Sequence, residues 1–141
     1  MYQKKLPEEN LCPFEYALSL IGGKWDIRVI CLLAHNTSLR YGQFKKMLPD
    51  ISDTALSGVL KKLLASDMVV RHAFNEVPPH VEYRLSARGL EAVPILQALC
   101  RWSVESKDEK VLSKLKLCED CRYGITASER TSYNDLSALI G

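Results

Sequence analysis

No run of apolar residues in this chain reaches the roughly 18 to 20 that a membrane span needs, so no membrane partner is expected. The N-terminus MYQKKLPEEN has a basic pair but no apolar segment behind it. It is not a secretory signal, and a cytoplasmic location is expected. There is no internal repeat and no low-complexity tract. Charge of one sign is scarce too: the formal net charge is only +2. A nucleic-acid partner would have to be met by local basic clusters rather than by a global field. The three histidines are His35, His72 and His80, and no Ser/His/Asp or Cys/His constellation forms around them. No Gly-rich phosphate loop follows a strand, so an enzyme is not expected and no cofactor is called for. The five cysteines are an odd number, which in a cytosolic chain argues against a disulfide framework. Cys31 and Cys100 sit among apolar residues and read as core.

What is present is a chain of 141 residues, 47% hydrophobic and 26% charged, enough for one globular domain with a real core and some extra helix. Its organising stretch is Ile51–Asp67, ISDTALSGVLKKLLASD. Ser52 or Asp53 can cap a helix there. Leu56, Val59, Leu60, Leu63 and Leu64 recur at helical spacing and form a buried stripe. The opposite face carries Asp53, Thr54, Ser57, Gly58, Lys61 and Lys62, small near its start and basic further along. Such a face is often simply solvated. It also suits close approach to base edges, with lysines on flanking phosphates.

Along the chain, residues 1–11 read as a loose N-terminal arm. Pro13 opens a helix with Phe14, Ala17, Leu18 and Ile21 on one side, ended by Gly22 and Gly23. Lys24–His35 is a second, largely apolar helix, and Leu39–Leu48 a short third, broken by Pro49 and Asp50. Tyr41, Phe44, Met47 and Leu48 are expected inward on it. The third helix and the one that follows match a helix-turn-helix. Met68–Asn75 and His80–Leu85 alternate as strands around the stiff turn EVPP. Ser86 caps a helix running to Ser106, with Pro94 predicting a kink or restart. The fold expected is mainly α with a small β-hairpin (α+β). It is a winged helix-turn-helix over residues 12–106 with N- and C-terminal dimerisation helices, since the end helices carry more apolar surface than one small domain needs. Residues 107–121 predict a C-terminal helix ending in Cys118 and Cys121. Residues 122–141, rich in Ser and Thr at their start, predict a mobile tail.

These motifs resemble the HxlR-type transcriptional regulators, winged-helix proteins related to the MarR group. The matching residues are Cys12-Pro13, Leu20-Ile21-Gly22-Gly23-Lys24-Trp25, Leu39-Arg40-Tyr41 and Leu48-Pro49-Asp50-Ile51-Ser52. They continue with Val77-Pro78-Pro79-His80-Val81-Glu82-Tyr83 and Leu99-Cys100-Arg101-Trp102. The likeness covers about residues 12 to 104. It implies a homodimer that binds double-stranded DNA and represses or activates nearby genes; repression and a palindromic operator are the expectation. Where the family carries a basic residue after the paired prolines, this chain has His80, which weakens a phosphate or minor-groove contact at neutral pH.

The residues expected at DNA follow. Ser52 opens the recognition helix, and Thr54, Ser57 and Gly58 are placed for base edges. Lys61, Lys62, Lys45, Lys46, Arg40 and Lys24 are placed for phosphates, and Arg71, His72, His80 and Arg84 lie on the wing. The resemblance also makes Cys12 a candidate sensor of oxidants or electrophiles, since several relatives use a cysteine at this place. A position near a helix N-terminus favours thiolate. An inert cysteine inherited with the fold is the other reading. A small-molecule effector would also fit such a regulator. Cys118-Glu119-Asp120-Cys121 is a lone CxxC, open to no special chemistry, a redox dithiol or a metal; no second pair completes a zinc site, and none is assigned. A rival from another class is a winged-helix protein-interaction module without specific DNA binding.

Overall fold

The computed structural model describes residues 11–105 and residue 110. The arm before residue 11, the CxxC pair and the 122–141 tail lie outside the described residues, as does the predicted C-terminal helix apart from Lys110. The chain divides into two units, Met1–Val93 and Pro94–Gly141. The elements in order are α1 (Pro13–Ile21), α2 (Asp26–His35), α3 (Tyr41–Met47), α4 (Asp53–Ala65), β1 (Val69–Phe74), β2 (His80–Leu85) and α5 (Ala87–Val104). Among the described residues, five helices and a two-stranded hairpin thus make the winged helix-turn-helix that the hydrophobic periods predict. No helix among the described residues is long and apolar enough to cross a membrane.

Pro13 at the first position of α1 forfeits an N–H that would have no helical partner anyway, and Gly22 closes the helix by donating to the Leu18 carbonyl at 2.6 Å. None of the nine residues of α1 is buried, so its apolar face is uncovered among the described residues. α2 supplies Val29, Ile30 and Leu33 to the core of the first unit, α3 supplies Phe44, and α4 supplies Leu56, Leu60 and Leu63. Met47, expected inward, is exposed: α3 ends there, and its short length turns one face to the core through Phe44 alone. Leu39, read as the start of α3, instead forms a β-bridge to Tyr83 with bonds of 2.9 and 2.8 Å. It is buried and extended, and it adds a short third edge to the wing's sheet.

The wing is antiparallel with the register Val69↔Leu85 to Phe74↔His80. α4 hands over to it through a tight exit. Asp67 has φ of 60°, the Met68 N–H reaches the Leu63 carbonyl at 2.9 Å, and the Asp67 N–H reaches Leu64 at 3.2 Å. This pair of bonds is a Schellman motif with an aspartate in the left-handed position. Ser86 then joins the wing's end to that exit: its N–H donates to the Met68 carbonyl, its hydroxyl donates to the Asp67 carbonyl, and its oxygen accepts from Gly89 N–H. Gly89 is buried here, and only glycine fits, because a Cβ would collide with the Met68 carbonyl. α5 continues as one helix with Pro94 inside it. In the second unit Leu96 is buried, while Ile95, Leu99 and Trp102 are exposed. Cys100, expected in the core, is exposed as well, because its apolar neighbours Leu99 and Trp102 are themselves at the surface; Cys31 is half-buried.

Candidate nucleic-acid interface

The helix-turn-helix is built by α3 and α4 around a five-residue break. Leu48 closes α3 with an N–H bond to Phe44, Ile51 folds back on Leu48 at 3.1 Å, and the Ile51 side chain is buried under the turn. Ser52, one of the two caps the sequence offers, closes the start of α4: its hydroxyl accepts from the Ala55 N–H at 3.1 Å. Burial of Leu56, Leu60 and Leu63 fixes which side of α4 faces inward. Ser52, Asp53, Thr54, Gly58, Lys61 and Lys62 are exposed on the rest, and Ser57 is half-buried.

Two features of that surface concern shape. Gly58 lies in the middle of α4, where glycine costs about 1 kcal/mol relative to alanine. A Cβ there would meet nothing within 4 Å, so nothing inside the described chain requires the glycine. Tyr41, expected inward, places its hydroxyl 3.2 Å from both the carbonyl and the Oδ1 of Asp53 and 3.4 Å from the Ser57 hydroxyl. It therefore ties α3 to the first turns of α4.

The basic side chains divide into two sets. Arg40, Lys46 and Lys61 are exposed, and no hydrogen bond or ion pair from their side chains is found among the described residues. The others are engaged. Lys45 donates to the Ile51 carbonyl at 2.7 Å and lies 3.2 Å from Asp53 Oδ1. Lys62 pairs with Asp26, and Lys24 lies over the Trp25 ring at 4.8 Å. On the wing, Arg71 and Arg84 are both exposed but face opposite sides of the hairpin, since Arg71 pairs with Tyr83 and Arg84 is the next residue along. His72 is exposed with its ring against the Phe74 edge. His80 stacks on Phe74 with centroids 4.1 Å apart. Its Nδ1 is 2.9 Å from Glu76, its Nε2 is 3.7 Å from Glu82, and its side chain is only 15% exposed. The wing tip thus offers Val77, fully exposed, beside a cis Val77–Pro78 bond and an engaged histidine.

Cys12 is exposed at the N-cap of α1, where its carbonyl accepts from Tyr16 N–H at 3.0 Å. The Tyr16 hydroxyl accepts from Arg88, whose guanidinium is held further toward its charged form by that bond and also donates to the Ser66 carbonyl. Among the described residues no group of three or more His, Cys, Asp or Glu is placed to hold a metal ion. Two side chains with roles here were not singled out from the sequence, Asp26 and the Tyr41 hydroxyl. Asp26 carried a local signal: an aspartate three residues after Gly23 can accept that glycine's N–H, and it does so at 2.8 Å.

The profile of the HxlR-like helix-turn-helix family matches residues 20–111. An uncharacterized HTH-type transcriptional regulator of Halalkalibacterium halodurans is 39% identical over 107 residues, 76% of this chain and 95% of that protein. The solved structure of the HTH-type regulator YtcD, a Bacillus subtilis protein, superposes with a TM-score of 0.64 at 34% identity, over 67% of this chain and 95% of that one. The oxidized form of the redox regulator HypR superposes with a TM-score of 0.63 at 32% identity, over 69% of this chain and 99% of that one.

Proposed function

The chain belongs to the HxlR-like helix-turn-helix family, and from that premise we propose that this DNA-binding transcriptional regulator acts as a homodimeric repressor on a palindromic operator. The observation that carries the reading is the outer face of α4, small and polar at Thr54 and Ser57, bare at Gly58 and cationic at Lys61. Such a face lets a helix enter a major groove closely, with Lys61, Lys46 and Arg40 on flanking phosphates and Arg71 or Arg84 presented by the wing. The uncovered face of α1 supports dimerisation: Phe14 is 66% exposed, and Leu18 and Tyr16 are open beside it. In the second unit, Trp102 is 71% exposed. A twofold dimer would set two α4 helices on half-sites about one helical turn apart.

Cys12 completes the proposal as the sensor. It is exposed at the start of α1, and HypR, a redox regulator, shares the fold. The Cys12 thiolate would attack a peroxide, forming the S–O bond of a sulfenic acid as the O–O bond breaks and the second oxygen leaves, protonated from solvent, as water or an alcohol; the added polar oxygen would change the packing of α1. Mass spectrometry after mild peroxide, beside operator binding by wild type and Cys12→Ser, tests this. The expected result is modification at Cys12 and loss of operator affinity in the wild type alone. Modification elsewhere with Cys12 intact contradicts it.

A further inference from the structure

One charged group in the first unit is almost entirely buried. Asp26, the first residue of α2, is 2% exposed, and its Oδ2 accepts both the Gly23 N–H at 2.8 Å and the Lys62 ammonium from α4. A carboxylate cannot be held there as a charge without such partners. Gly23 is part of the same arrangement, because a Cβ on it would stand 2.5 Å from Asp26 Oδ2. Among the described residues this is the ion pair that joins α2 to α4.

Its position on α4 gives it consequence. The leucines of α4 bury an apolar stripe, and apolar contact is non-directional, so it tolerates small rotations of a helix about its axis. A charge-assisted hydrogen bond does not. Lys62 stands in the same i, i+4 column as Thr54 and Gly58, so tethering Lys62 fixes where that column points. Its neighbour Lys61, exposed like Lys62, has no such tether.

We infer that Lys62 is not a phosphate contact: with Asp26 and Gly23 it forms a fixture that sets the rotation of α4, which makes Asp26 a specificity-determining positioning residue that never touches DNA. This rests on α4 being the reading helix. It departs from the sequence-based expectation, which grouped Lys61 and Lys62 as equivalent cations.

The test uses the full-length protein in two arms. In the first, wild-type protein is labelled with an amine-acylating ester, with and without DNA, and mapped by mass spectrometry. Lys62 should react several times more slowly than Lys61 in free protein, with DNA protecting Lys61 only. Lys62 reacting as fast as Lys61 and gaining protection from DNA overturns the inference. In the second arm, Asp26→Asn, Lys62→Gln and their double variant are compared with Lys61→Gln for binding to operator and to random DNA across a salt series. Lys61→Gln should reduce the slope of log K against log salt by about 0.9 while leaving the operator-to-random ratio in place. Lys62→Gln should leave the slope unchanged and lower that ratio by about tenfold, the loss one misread base pair brings. The double variant, which buries no orphan charge, should do no worse than the weaker single. A slope change in Lys62→Gln equal to that in Lys61→Gln, or single effects that simply multiply, overturns the fixture. Wild-type protein that selects no sequence would instead contradict the regulator reading, and the labelling in free protein then still decides the fixture.

Discussion

At the scale of single residues, α4 separates stability from recognition most sharply at Gly58. Alanine there should raise folding stability by about 0.5–1 kcal/mol, because helix propensity rises and the site has open space around it. The same substitution should weaken operator binding, since the added methyl would stand where a base edge comes closest. Urea unfolding beside a binding titration checks both, and a variant that is more stable and binds equally well would remove Gly58 from the reading face. Ser57→Ala should change preference at one or two base positions, by about 1–3 kcal/mol against the wrong base. Sequence offered Ser52 or Asp53 as the cap, because a cap's partner lies two or three residues along the same chain, and Ser52 is the one that takes the role. It could not divide the lysines. Lys61 and Lys62 are alike by residue type, and only the return of α2 beneath α4 brings Asp26 to one of them. His80 was readable as a departure from the family, but its stacking on Phe74 and its two carboxylate neighbours depend on the hairpin register.

At the scale of elements, local signals placed almost every boundary to within two residues. β2 fell on His80–Leu85 as its alternation dictates, and α1 opened at Pro13. Leu39 was misplaced because its partner, Tyr83, lies across the wing, and no local period shows a single bridge. The exit of α4 was also hidden, since an aspartate with positive φ leaves no glycine to mark it. That exit makes a direct prediction. Asp67→Val should destabilise the fold by about 1–2 kcal/mol, because a β-branched residue is poorly tolerated in the left-handed region. Asp67→Gly should be close to neutral, and differential scanning calorimetry of the pair decides. Equal melting temperatures for the two variants would show that the Schellman geometry is not maintained in solution.

At the scale of the whole molecule, the proposed regulator has two requirements, a reading helix set firmly on its core and a second copy to supply the other half-site. The first was legible from the hydrophobic stripes; the second was legible only as an excess of apolar surface, and none of the residues of α1 is buried. Phe14→Asp should shift the protein toward monomer in sedimentation and weaken binding to a two-half-site operator far more than it changes folding, because Phe14 is exposed among the described residues. An unchanged sedimentation coefficient would remove α1 from the interface. The most direct test of the central claim is selection of bound fragments from random DNA by the intact protein, followed by sequencing. The account predicts a twofold-symmetric motif with half-sites about 10 base pairs apart, or a multiple of that spacing. Failure to enrich any sequence, together with no retention on heparin at low salt, would contradict it and favour a winged helix that binds protein instead.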